Sequence, residues 1–268
     1  MLTERVCLEL GQRLSKNEPR LSGTLHELVP SPSEEQLLLK AVVAGDLGEV
    51  KRLALAHPLW LMEPDTIGLY PIHAALIHGR EEIVDFLIDS LGERVNWCVD
   101  SFSRRPLHIA AIVGPLRVIK RLVEECNSPL VQTFPGWLSS APHVAARVGA
   151  VDFLRYFMEE MPETSTRKRA TVLDHDFWHE TPIFAACRHD QLETFKYCLE
   201  RNPEAYKEKD EFGYPLYWYA VAQGATKIVT YMMEHRLNIY PPPHVQSLTR
   251  YAIQAGALEL MQHLDKTG

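Results

Sequence analysis

One stretch, Arg105-Pro106-Leu107-His108-Ile109-Ala110-Ala111-Ile112-Val113-Gly114, limits what this chain can fold into, because its pattern returns along the sequence. Proline suits a helical first turn, where the N–H it lacks would have no partner in any case. Two alanines allow close helix contact, and glycine ends a helix where positive φ is easiest. Val118-Ile119 and Leu122-Val123 follow at the spacing of a second amphipathic helix. Pro71-Ile72-His73-Ala74-Ala75 leads in the same way to Gly79, then to Ile83-Val84 and Leu87. His143-Val144-Ala145-Ala146 leads to Gly149, then to Phe153-Leu154 and Phe157. The unit is two short helices back to back.

The terminal glycine, or its substitute, sets the register at Gly45, Gly79, Gly114, Gly149, Asp190, Gly224 and Gly256, with intervals of 34, 35, 35, 41, 34 and 32 residues. An alanine lies four residues before each marker (Ala41, Ala75, Ala110, Ala145, Ala186, Ala220 and Ala252). A period this regular is the signature of a stacked array, in which each unit buries its apolar face only against its neighbours. Seven units are expected. The long interval carries extra residues over 161–175, and this insertion holds the basic run Arg167-Lys168-Arg169.

The units resemble ankyrin repeats, whose pattern includes Thr-Pro-Leu-His, an alanine pair and a glycine. Pro71-Ile72-His73, Pro106-Leu107-His108 and Thr181-Pro182-Ile183 carry the likeness, together with the turns Asp65-Thr66-Ile67-Gly68 and Asp210-Glu211-Phe212-Gly213. The turn pattern is partial at Asp100 and Asp176, and absent at Pro135. The resemblance covers about residues 34–264 and implies an all-α ankyrin-repeat solenoid of stacked helix-turn-helix units with hairpin-like turns. Residues 34–268 form the repeat domain, and residues 1–33 are expected to be an N-terminal helical cap, since Val6, Leu10 and Leu14 make an apolar stripe over 3–15. In register, His73, His108 and His143 take the family's structural histidine position, which implies hydrogen bonds to neighbouring turns.

The resemblance implies protein–protein recognition through the turns and the inner helix face. At those positions stand Ile67 and Leu69, Phe102 and Arg104, Trp137, Phe177 and Trp178, and Phe212 and Tyr214. Four consecutive turns place a large aromatic at or beside the tip. Aromatics bury large areas at low cost in side-chain entropy, which makes such a row a candidate for partner binding. Packing of each aromatic on the adjacent turn is the competing reading. Arg167, Lys168 and Arg169 in the insertion complete the candidate contacts.

Composition narrows the partner class. A net charge of −7 argues against nucleic acid, which calls for a basic face. No apolar run reaches the length that spans a bilayer. Five cysteines, Cys7, Cys98, Cys126, Cys187 and Cys198, are odd in number and lack metal-type spacing, which favours free thiols in a reducing compartment. The expectation is a monomeric, cytoplasmic, non-enzymatic adaptor that binds a protein and needs no cofactor. One alternative is the recognition part of a larger protein or of a secreted bacterial effector, such as a ubiquitin-ligase substrate adaptor. The other is an enzyme with an unorthodox site across repeats, built on Cys187 with a histidine such as His143, or on His175 and His179 as metal ligands.

Overall fold

A computed structural model describes residues 35–130, 140–164, 168–171, 174–175, 180–209, 213 and 215–237. The expected cap over 1–33 and the seventh marker Gly256 lie outside the described residues. The chain divides into two compact units, 1–128 and 129–268.

In the first unit, α1 (Glu35–Ala44) and α2 (Leu47–Ala56) form one helix pair, α3 (Pro71–Ile77) and α4 (Glu81–Leu91) the next, and α5 (Pro106–Val113) and α6 (Leu116–Glu124) the third. The inner helix α3 packs on both α1 and α5, while α4 packs on α6. Short 3-10 turns, Pro58–Met62 and Gly92–Trp97, follow the outer helices α2 and α4. Leu38 and Val42 of α1, Ile72, Ala74 and Ala75 of α3, and Ala110 and Ala111 of α5 are fully or nearly buried. An alanine at the contact keeps adjacent backbones close, and the larger Leu, Ile and Val side chains fill the space between inner and outer helices.

The second unit repeats the scheme with α7 (Ala141–Val148) and α8 (Val151–Arg155), α9 (Pro182–Arg188) and α10 (Leu192–Arg201), and α11 (Leu216–Gln223) and α12 (Thr226–Glu234). Its core joins Ile183, Phe184, Cys187, Phe195 and Cys198 to Leu216, Tyr217, Val221, Ile228 and Met232. Helix α8 runs on into a π-helical turn, Tyr156–Glu160, in which Tyr156 and Phe157 are buried; Phe153, in α8 itself, is half-buried. The 3.6-residue spacing had placed Phe153 in the core. Phe153 lies before the π turn, in the α-helical part, while Phe157 is buried at its expected position. The insertion folds back onto this turn: the Ala170 N–H donates to the Phe157 carbonyl over 3.0 Å, and Arg169 Nε donates to the Met161 carbonyl over 2.8 Å.

The marker positions do more than end helices. Gly45, Gly79, Gly149 and Gly224 have φ between 63° and 84°, and Asp190 joins them at 53°. The next pair sits directly on two of them. Arg80 covers Gly45 and donates from Nε and Nη2 to the Val43 carbonyl, at 3.0 and 2.7 Å. At Gly149 a Cβ would stand 2.4 Å from Gln191 Oε1. Asp190 accepts the strain of a left-handed backbone and uses its carboxylate across the junction: the N–H groups of Lys227 and Ile228 donate to Oδ2 and Oδ1 at 3.2 and 3.0 Å. A carboxylate there satisfies amides at the start of α12 and meets the positive end of that helix. Gly114 corrects the sequence reading. It has φ −82° and ψ 159°, because the following Pro115 drives its predecessor into extended backbone.

An ion ladder crosses the outer helices of the first unit. Arg117 bonds Glu81 and Asp85, and Arg121 bonds Asp85, Asp89 and Glu125, at 2.6 to 2.8 Å. Arg117, Glu81, Asp89 and Glu125 are largely solvent-facing while Arg121 and Asp85 are partly covered, so the pairs with an exposed partner contribute at most about 1 kcal/mol each. The junction cap at Asp190 is the stronger device. Asp190→Ala is expected to destabilise the chain by about 1–2 kcal/mol, the range for loss of a helix cap. Asp190→Gly is expected to cost less, since glycine relieves the left-handed backbone. Urea midpoints check both: no loss in either variant would show that the carboxylate does not bridge the junction, and equal losses would show that the left-handed backbone at 190 stores no strain.

Candidate functional site

The two described turns that carry candidate contacts are each built by one aspartate. Asp65 Oδ1 accepts from the N–H groups of Ile67 and Leu69 at 2.9 and 2.7 Å, and the Gly68 N–H donates to the Asp65 carbonyl at 3.0 Å. Asp100 makes the same set with Phe102, Arg104 and Ser103, at 2.9, 2.8 and 2.8 Å. Ser103 occupies the glycine position with φ 62°. The Asp100 turn is therefore complete rather than partial, because serine tolerates the left-handed backbone that the pattern reserves for glycine. The two turns are stitched together, with Ser101 Oγ donating to the Ile67 carbonyl at 2.7 Å. A Cβ on Gly68 would lie 2.9 Å from the Ser101 backbone nitrogen, so this close approach requires glycine.

On this scaffold the candidate residues separate. Ile67 is 60% exposed and Phe102 42% exposed, on consecutive turns. Leu69 is half-buried. Arg104 turns inward: Nε donates to Asp100 Oδ2 at 2.7 Å, and the guanidinium lies 4.8 Å from the centre of the Phe102 ring. It braces the aromatic from behind and is little exposed itself. Lys168 and Arg169 are exposed at the foot of the insertion, with Arg169 engaged as described above. Trp137, Arg167, Phe177, Trp178, Phe212 and Tyr214 lie outside the described residues. Trp97, at the end of the Gly92–Trp97 turn, is 69% exposed and was missed. It falls between repeat patterns, where register gives no signal.

The structural histidines do differing work. His143 lies 2.6 Å from Ser140 Oγ through Nδ1 and 2.8 Å from the Glu180 carbonyl through Nε2. A carbonyl only accepts, so Nε2 carries the proton and the Ser140 hydroxyl donates to Nδ1. Glu180 links three helix pairs. Its carbonyl meets His143, while its carboxylate accepts from Arg188 of α9 and, at 2.7 Å, from Tyr219 Oη of α11. His108 Nδ1 accepts from the Arg105 N–H at 3.3 Å. His73 is fully buried, and neither ring nitrogen has a hydrogen-bond partner among the described residues. Burial, and secondarily the charge of Arg104, lowers its pKa to about 3.

The cysteines of the enzymatic alternative sit in buried surroundings. Cys98, Cys126, Cys187 and Cys198 are free and buried. Burial pushes Cys98 and Cys198 up to about 12, Cys126 to about 11, and Cys187 well above the ordinary thiol range. A nucleophilic cysteine needs the opposite shift, toward thiolate. Among the described residues no group of three or more His, Cys, Asp and Glu side chains could hold a metal ion. His179 lies outside them.

The family model for ankyrin repeats (3 copies) matches residues 38–133 and 142–242. The chain belongs to the ankyrin-repeat family. The fold recurs among solved structures, two of them of known setting. One is that of the predatory endopeptidase Bd0816 from Bdellovibrio bacteriovorus in complex with immunity protein Bd3460, at 17% identity and a TM-score of 0.58. That match covers 74% of this chain and 97% of the other. The other is the ankyrin repeat domain of Bcl-3, a member of the IkappaB protein family, at 16% identity and a TM-score of 0.55. Here 85% of this chain and 88% of the other are covered. No curated protein matches the sequence. Among the described residues no helix of this ankyrin-repeat chain is long and apolar enough to cross a membrane.

His73 gives the array a measurable acid sensitivity. Its folded pKa lies below its unfolded value of 6.5, so the unfolded chain takes up the proton first as pH falls. The stability this histidine lends is complete above the unfolded value and is lost as pH falls toward about 3. The slope is about 1.4 kcal/mol per pH unit. Between pH 7 and about 5.5, the wild type is expected to lose about 1 kcal/mol more than His73→Leu in urea unfolding. Parallel losses would place the acid sensitivity elsewhere.

Proposed function

We propose that this chain is a non-enzymatic protein–protein interaction module, an adaptor that grips a protein partner along its turn tips and the adjoining inner face. Ankyrin repeats are protein–protein interaction modules. The observation that carries the reading here is the pair Ile67 and Phe102. Both are apolar and solvent-facing, and both sit on turns held rigid by an aspartate and joined by the Ser101 bond. A side chain fixed before binding loses little entropy on contact, which is what converts buried area into affinity. The reading extends this row to Trp137, Phe177, Trp178, Phe212 and Tyr214 at the equivalent sequence positions. It adds Leu69 at the flank, and the insertion residues Arg167, Lys168 and Arg169 as a basic finger. Arg104 serves as the brace for Phe102. Buried free thiols support a reducing cytosolic setting.

The test is affinity capture with the wild type beside Ile67→Ala/Phe102→Ala. Loss of a captured protein is expected, at about tenfold or greater cost in affinity, with the melting temperature unchanged within about 2 °C. A sharp fall in melting temperature would make both residues part of the packing. Unchanged capture would remove the turns from the interface.

A further inference from the structure

A second apolar surface lies away from the turns, on the outer side of the first unit. Helix α2, the Pro58–Met62 turn and helix α4 frame a groove of about 490 Å³. Leu55 and Leu59 line it while 83% and 77% exposed, the largest exposures among the large apolar side chains of the described residues. Met62 and Phe86 extend the apolar lining. An exposed leucine by itself is ordinary, but two beside a concave apolar floor are a recognised docking feature. The volume falls within the range of small binding clefts, about 300–1,000 Å³.

The charged residues of the lining are both cationic, Lys51 and Arg94, in a chain whose net charge is −7. Lys51 Nζ stands 5.8 Å from the centre of the Phe86 ring. Arg94 donates to the carbonyls of Leu91 and Ser90 at 3.3 and 3.1 Å, and so is fixed at the end of α4. This charge pattern selects the occupant. A second copy docking symmetrically would oppose these cations to themselves. The apolar stripe Val6, Leu10 and Leu14 of the same chain travels with two acids and two bases, Glu4, Arg5, Glu9 and Arg13, and supplies no net complement. We propose that the groove binds an acidic amphipathic helix of another protein, its apolar side chains against Leu55, Leu59 and Phe86 and its carboxylates beside Lys51 and Arg94.

The probe is a fluorescent synthetic helix with leucines at i, i+3, i+4 and i+7 flanked by glutamates, titrated against the full chain next to its lysine-for-glutamate counterpart. The acidic helix is expected to bind and the basic one to bind at least tenfold more weakly. Leu55→Ser/Leu59→Ser is expected to weaken the acidic helix about tenfold or more, and Lys51→Glu several-fold while improving the basic helix. Ile67→Ala/Phe102→Ala is expected to leave both unchanged, which separates this site from the turn row. Equal binding of the two helices, or no effect of the leucine variant, would overturn the proposal. So would tighter binding by Leu10→Ser/Leu14→Ser, which would make the chain's own segment the occupant. A dimer in sedimentation velocity that Leu55→Ser/Leu59→Ser dissolves would assign the groove to a second copy and equally overturn it.

Discussion

No helix pair in this chain can shelter its apolar face alone. Each inner helix presents an alanine-rich contact surface so that its neighbour can come close. The resulting burial is shared across the junction rather than gathered at one centre. Polar groups caught in such junctions are costly unless they are satisfied. His73 is left without a hydrogen-bond partner among the described residues, but several others are satisfied across the stack. Glu180 is the fullest case, with a carbonyl facing backward to His143 and a carboxylate facing forward to Arg188 and Tyr219. Asp190 and Arg80 repeat the principle at the helix ends, and Ser101 repeats it at the turn tips. These bonds fix the register of one pair on the next, while apolar burial supplies most of the stability.

The same stitching turns a row of loops into a platform. A hairpin turn left to itself would move freely, and an exposed aromatic on it would lose much of its binding energy to ordering. In the two described turns an aspartate accepts two backbone N–H groups, and the Ser101 hydroxyl adds a bond between the turns. Phe102 is additionally backed by Arg104, whose charge is met by Asp100. Rigidity of the scaffold and exposure of the tips are thus produced by the same residues.

Much of the fold was legible because its determinants are periodic. The alanine, the glycine marker and the paired apolar positions recur, and the helix pairs fall where they place them. The misreadings share a cause: a residue's conformation was set by a neighbour in space or by the next residue. Gly114 is extended because proline follows it. Asp190 and Ser103 take glycine's left-handed backbone, and Asp190 earns its place by capping a helix in the next repeat. At the candidate site, the turn pattern located Ile67 and Phe102, but spacing could not reveal that Arg104 would pair inward with Asp100. Leu55, Leu59 and Trp97 gave no signal, since an apolar residue outside the repeat register looks the same whether it is packed or exposed.

The central claim is that stability passes only between adjacent pairs. Hydrogen exchange on Val42→Ala, a cavity at a fully buried position of α1, tests it most directly. The account predicts the largest loss of amide protection in α1 and α2, a smaller loss in α3 and α4, and the least in α5 and α6. An equal loss through all three pairs would contradict it and return the unit to a single shared core.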